Sequence, residues 1–175
     1  MKSLVIAPFR HDHHAQDLER LDAFFESDSM FTASTDGDRL EVALTRSGTP
    51  HKRQFQLLLD QETLNDAYVA LVDGAVRGVI DVRFEAWNSR LIINHFYVDA
   101  PYRRQGIGRR LMECAMELGR SYGAGILWVE TTNVNYPAVL AYRRLGFDLC
   151  GFDATFYEGT SAAGEFALFM SRRLD

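Results

Sequence analysis

Arg103-Arg104-Gln105-Gly106-Ile107-Gly108 is the stretch on which the fold turns. It follows an apolar segment, Leu91 to Val98, that reads as a buried strand, and it opens an amphipathic run, Ile107 to Tyr122, that reads as a helix. Strand, glycine loop, helix is the arrangement that offers bare backbone N–H groups and a positive helix end to a phosphate. Gly106 and Gly108 carry no Cβ, so a ligand can approach the main chain closely there. Arg103, Arg104, Arg109 and Arg110 add charge suited to a polyanion. Taken alone, the hexapeptide fits a plain strand-to-helix turn with solvated arginines equally well. Two other phosphate-binding readings fail. A Walker A loop needs Lys-Ser or Lys-Thr after its glycines, and none follows here. A dinucleotide fingerprint needs a third glycine, and Leu111 stands in its place.

Upstream of this stretch, Tyr68 to Val72, Asp73-Gly74 and Val76 to Phe84 form a hairpin pattern with a type I′ turn. Asn88-Ser89 turns the chain again into the Leu91 strand. Leu4 to Ala7 reads as a first strand. Ala15 to Phe25 reads as a helix with Leu18, Leu21 and Phe25 on one face. Short strands near Phe31 to Ser34 and Leu40 to Thr45 flank Asp36-Gly37, and Ser47-Gly48-Thr49-Pro50 reads as a break. Downstream come a strand, Ile126 to Thr131, and a helix from about Tyr136 to Leu145 with Gly146 in the C′ position. Two last strands lie near Phe147 to Cys150 and Phe166 to Ser171. The expected fold is α/β of the α+β kind. It has a mixed, mostly antiparallel central sheet with helices on both faces, as one domain over residues 1–175.

Composition narrows the function. The 175 residues are 47% hydrophobic and 25% charged, with a formal net charge of −5, which argues against general nucleic-acid binding. An acidic chain with a local arginine patch suits a polyanionic cofactor and a cationic second ligand. The two cysteines suggest no disulfide framework, and Cys114 shares a helix face with Ile107, Leu111 and Leu118. The Leu4 to Phe9 run is too short for a signal peptide, and no segment has membrane-spanning length, so no membrane partner and a cytoplasmic address are expected. A homodimer is left open.

The order of elements, with Arg103-x-x-Gly106-x-Gly108 after the fourth core strand, resembles the GNAT acetyltransferase superfamily. Phe96-Tyr97-Val98-Asp99-Ala100-Pro101 is similar to the end of that strand. Asn135-x-x-Ala138-x-x-Ala141-Tyr142-x-x-x-Gly146-Phe147 is similar to the family's second signature helix and the strand after it. Within the superfamily the second half resembles streptothricin acetyltransferases, which acetylate the β-lysine moiety of a cationic antibiotic. That resemblance rests on Trp87-Asn88-Ser89-Arg90, Trp128 to Asn135, Ala141 to Phe147 and Cys150 to Tyr157. One departure stands out: that group typically carries Glu-Asp just before the Phe96 position, and this chain has Asn94-His95. The resemblance implies acetyl-CoA as cosubstrate and no metal. It implies transfer to a primary amine of a small cationic molecule, antibiotic-like or polyamine-like, by direct attack in a ternary complex. Acetylation of a protein or peptide amine, or a non-catalytic acyl-CoA-binding regulatory module, are the alternatives.

Site residues follow from this. Backbone N–H groups over Gln105, Gly106, Ile107, Gly108, Arg109 and Arg110 would take the diphosphate, and the backbone edge of Phe96, Tyr97 and Val98 would pair with the pantetheine arm. The resemblance makes Tyr142 the general acid near the cofactor sulfur. Its reference pKa of about 10, against about 8.5 for a thiol, lets it donate a proton to a departing thiolate. Asn135 would cap its helix or touch the cofactor. For the base, Glu130 ranks ahead of Glu85 and His95, and a water chain stays open. By strict alternation His95 would share a face with Ile93 and Tyr97. Two clusters read as solvated surface: His11-Asp12-His13-His14, and the acidic Asp60, Glu62 and Asp66.

Overall fold

The structure is a computed structural model and describes residues 3–55 and 66–174; Asp60 and Glu62 lie outside them. In chain order its elements are β1 Leu4–Pro8, α1 His11–Glu19, β2 Phe24–Asp36, β3 Arg39–Gln54, β4 Asp66–Val72, β5 Ala75–Glu85, β6 Arg90–Val98, α2 Ile107–Ser121, β7 Ile126–Thr132, α3 Tyr136–Arg144, β8 Asp148–Asp153 and β9 Ala167–Arg173. The chain divides into two compact units. One comprises Met1–Phe24, Gln54–Val129 and Arg172–Asp175; the other comprises Phe25–Arg53 and Glu130–Ser171.

In the first unit the strands run β1-β4-β5-β6-β7. All neighbours are antiparallel except β6 and β7, which are parallel and joined through α2. Asp73 and Gly74 both have positive φ, 51° and 85°, as a type I′ turn requires. The sheet carries a helix on each face. Val79 packs with Leu18 of α1 and with Leu21, whereas a Cβ on the adjacent Gly78 would meet Leu111 Cδ1 and Ile107 Cγ2 of α2 at 3.1 and 3.2 Å. Consecutive strand residues face opposite sides, so α1 and α2 cover opposite faces. Helix α2 buries Ile107, Leu111, Met112, Ala115, Met116 and Gly119. Each large side chain so buried contributes about 1.5–3 kcal/mol. Cys114 and Leu118 stand at the margin of that stripe, half-buried, and burial pushes the Cys114 thiol up.

The sheet is interrupted by two bulges. Between Ala70↔Gly78 and Leu71↔Val76 the extra residue is Arg77; between Asp81↔His95 and Val82↔Ile93 it is Asn94. The second bulge corrects the alternation expected along β6. Past Asn94 the parity flips, so Ile93 shares the α2 face with Phe96, while His95 and Tyr97 face the α1 side.

In the second unit β7 continues, followed in order by β9 and β8, the latter two antiparallel. Strands β2 and β3 form a separate two-stranded sheet. Cys150 is the extra residue of a bulge in β8; its exposed thiol donates to the Phe169 carbonyl. Two expectations fail here. The Ala15–Phe25 helix is instead α1, which ends at Glu19, followed by strand-like burial of alternate residues Leu21, Ala23, Phe25 and Ser27. Leu18, Leu21 and Phe25 match the helical period, but their neighbours obey period two. Nor does Ser47 to Pro50 break the chain, because β3 runs through it. A proline is tolerated on a ribbon edge that needs no N–H.

Candidate active site

The loop between β6 and α2 is fixed from below. Asp99, 5% exposed, accepts the Asp22 backbone N–H at 3.1 Å and the Arg77 Nη1 at 3.0 Å. Arg77 is the bulge residue of β5, and the bulge aims its guanidinium at Asp99 and over the Tyr102 ring. Arg103 Nε donates to the Val98 carbonyl at 3.0 Å, and its guanidinium lies over the Phe24 ring. Burial pulls the Arg103 pKa down, against the opposing pull of Asp22 and Asp99. Arg103 therefore braces the loop. Gln105 Nε2 ties back to the Pro101 carbonyl at 3.0 Å.

Above this foundation helix α2 begins without a side-chain cap and without an acidic residue in its first turn. Its first intrahelical bond reaches back from the Arg110 N–H to the Gly106 carbonyl, 3.1 Å. The preceding N–H groups have no intrahelical acceptor, and the helix dipole adds positive potential. Arg104, Arg109 and Arg110 are exposed around this end; Arg109 is paired with Glu113 at 2.8 Å. The two glycines do different jobs. Gly106 sits at φ 85°, and a Cβ there would meet nothing within 4 Å, so it meets the conformational need and leaves the end open. At Gly108 a Cβ would stand 3.2 Å from Phe96 Cζ. Its lack of a side chain serves close packing of α2 on β6.

The strand leading to this end splits from its neighbour. The β6–β7 ladder runs from Arg90↔Ile126 to Ile93↔Val129 and stops there, while the β5–β6 ladder continues to Val98. Phe96 and Val98 turn their side chains toward Gly108, and Tyr97 packs with Phe55 at a ring separation of 5.3 Å. At the Asn94 bulge, where the strands part, Asp81 is wholly buried. It accepts Asn94 Nδ2 at 3.1 Å and faces His95 Nδ1 at 3.4 Å. Glu85 lies further along the sheet, opposite Arg90, about 13 Å from the Asn94 bulge at ~3.3 Å per residue, and pairs with Arg83 at 2.6 Å.

The second unit holds the other expected residues. Asn135 caps α3, accepting the Ala138 N–H at 3.2 Å, and Gly146 follows the helix at φ 84°. Tyr142 is 7% exposed and packs on Phe147 at 5.6 Å between ring centroids. Glu130 is half-buried in β7 and accepts a hydrogen bond from the Tyr157 hydroxyl. Burial pushes the Glu130 carboxyl up, partly offset by that hydrogen bond, and burial beside Glu130 pushes the Tyr157 phenol far up, so the phenol keeps its proton and donates. Beside them Glu165 accepts from Thr132 and pairs with Arg53. Sequence reasoning assigned no role to Tyr157, Glu165 or Asp81: the first two come from a loop without periodicity, and Asp81 is placed only by a bulge. Of the two surface clusters, His11 to His14 open α1, and Asp66 accepts the Tyr122 hydroxyl at 2.9 Å. Among the described residues no three His, Cys, Asp or Glu are grouped to hold a metal, and no helix is long and apolar enough to cross a membrane.

Known proteins are similar in sequence and fold. The model of the acetyltransferase (GNAT) family matches residues 38–147. A streptothricin acetyltransferase of Streptomyces lavendulae is 37% identical over 167 residues, which cover 90% of this chain and 88% of that protein. The solved structure of nourseothricin acetyltransferase matches with a TM-score of 0.88 at 36% identity, over 98% of this chain and 99% of that one. A Bacillus anthracis protein solved in complex with acetyl coenzyme A has the same fold, with a TM-score of 0.84 at 24% identity over 98% and 99% of the two chains. The uncapped glycine-led helix, the parting of β6 from β7 and a match along almost the whole chain lead to one conclusion: this protein is a member of the GNAT acetyltransferase family.

Proposed function

We propose that the protein transfers the acetyl group of acetyl-CoA to a primary amine of a small cationic molecule, by direct attack in a ternary complex. The observation that carries this reading is the start of α2: an open helix end with no cap and no acidic residue, led by Gly106 and flanked by Arg104, Arg109 and Arg110. The N–H groups from Gln105 to Arg109 hold the diphosphate, the Arg110 N–H being taken by the Gly106 carbonyl, and Arg103 keeps the loop in place beneath them. The pantetheine arm lies along the side of β6 from Val98 toward Ile93, where the ladder with β7 opens. A backbone N–H near Val98 faces the carbonyl oxygen as it becomes negative. Tyr142 donates a proton to the leaving thiolate. Glu130, held by Tyr157, takes the role of an anchor for the acceptor's ammonium, because a desolvated cation needs a partner charge. The high-coverage relatives, named for streptothricin and nourseothricin, support a small polar amine as acceptor.

A competition among streptothricin, lysine-like amines, polyamines, aminoglycosides, neutral arylamines and N-terminal peptides, each with acetyl-CoA, tests this reading. Preference for the cationic small molecules is expected. Exclusive use of neutral arylamines or of peptides would overturn it.

A further inference from the structure

We propose that His95, oriented by the buried carboxylate of Asp81, is the base that takes the proton from the acceptor amine. This inference rests on the acetyl-transfer reading above and adds the residue that reading lacks.

The diphosphate end of the site lies at the C-terminal end of β6. An arm laid back along that strand reaches the point where β6 and β7 rejoin, at Ile93↔Val129. The bulge residue Asn94 is next, then His95, so the thioester end of the arm arrives beside this pair. Across the β5–β6 ladder Asp81 is the direct register partner of His95. Asp81 is 0% exposed, and a carboxylate so buried is costly unless polar groups turn to it. Asn94 Nδ2 and His95 Nδ1 both do so, at 3.1 and 3.4 Å from the same oxygen, Oδ2. With the ring proton on Nδ1 directed at Asp81, Nε2 is left with its lone pair, the tautomer a general base needs. The His95 side chain is 36% exposed, enough for an amine to reach it from solvent. The carboxylate comes from the neighbouring strand, behind the imidazole.

The protons balance as follows. The acceptor enters as R–NH3⁺. Its first proton passes to His95 Nε2 and from there to water. The freed nitrogen lone pair forms the C–N bond, and the C–S bond breaks. The second proton, from the attacking nitrogen, ends on the thiolate by way of Tyr142. The products are the amide, the free thiol and one proton in solution. Asp81 is a positioning residue; it never touches the reacting atoms.

The test uses the full chain with acetyl-CoA and streptothricin, spermidine and lysine amide as acceptors. His95→Gln can still donate to Asp81 but cannot take a proton. It should lower kcat about 10²–10⁴-fold, the range of general acid–base groups, with KM for acetyl-CoA unchanged. His95→Ala should fall similarly and recover in part with added imidazole, whereas His95→Gln, its space filled, should not recover. Asp81→Asn offers an amide to Nδ1 and should shift the ring proton to Nε2, seen in ring ¹⁵N spectra, with kcat falling alongside. Wild-type turnover in His95→Gln, or losses that follow the acetyl-CoA KM, would overturn the base role. A wild-type protein inactive on every acceptor would instead overturn the acetyl-transfer reading, and this inference with it.

Discussion

At the scale of single residues, the site separates groups that hold the structure from groups that act. Arg103 sits in the signature hexapeptide, yet its hydrogen bond to the Val98 carbonyl and its stacking on Phe24 make it a brace. The glycines divide in the same way. Gly106→Ala forces a side chain into left-handed φ, costing roughly 1–2 kcal/mol, and should weaken acetyl-CoA binding in calorimetric titration. Gly108→Leu should chiefly lower the melting temperature, since its side chain would run into Phe96. Equal effects of both on affinity, with no loss of stability, would contradict this division. Tyr142→Phe should leave cofactor affinity nearly intact and reduce turnover by about 10²–10⁴-fold; an undiminished rate with chemistry limiting would remove the acid role. Glu130 gives a prediction in pH. Burial raises its folded pKa, so the folded state keeps this proton to higher pH than the unfolded chain does. Its contribution to stability is therefore full below the ordinary carboxyl pKa and is lost as pH rises through the raised value. Glu130→Gln preserves an acceptor for Tyr157 without the charge. Its melting temperature relative to wild type should climb as pH rises from the ordinary carboxyl range through the raised value, and a flat difference would contradict the burial effect.

At the scale of elements, Asn135 provides a clean test. It caps α3 through the Ala138 N–H, and Asn135→Ala should cost about 1 kcal/mol, or roughly 2–4 °C in melting temperature. A loss of acetyl-CoA affinity at unchanged stability would show a cofactor role instead. Elements with strong local chemistry were readable in the sequence: the Asp73-Gly74 hairpin, the α2 stripe and the Asn135-to-Gly146 helix all stand where their turn and cap residues put them. What was not readable depends on partners distant in sequence. Leu18, Leu21 and Phe25 satisfy the helical and the strand period together, and only the environment of Ala23 and Ser27 decides between them. The Asn94 bulge is set by register against β5, so counting along β6 put His95 on the same face as Ile93. The candidate base was thus visible as a residue but not as a geometry, and Asp81, its partner, carried no signal.

At the scale of the whole molecule, the coenzyme should act on stability as well as on chemistry. A ligand at 100 times its dissociation constant adds about 2.7 kcal/mol, hence about 5–11 °C for a chain of this length. Amide-exchange protection should concentrate on the loop from Arg103 through the first turn of α2 and on residues 94–98 of β6. Protection spread evenly over α1 and β1 instead would contradict the proposed seat of the cofactor. The Cys150 bulge has a practical use. The chain has only two thiols, and Cys114 is half-buried with its pKa pushed up. Cys150 projects from its strand at an exposed position. A maleimide fluorophore should therefore attach almost entirely at one place without any cysteine being engineered away. That would make the native protein its own probe for acceptor titrations followed by emission from the β8–β9 ribbon.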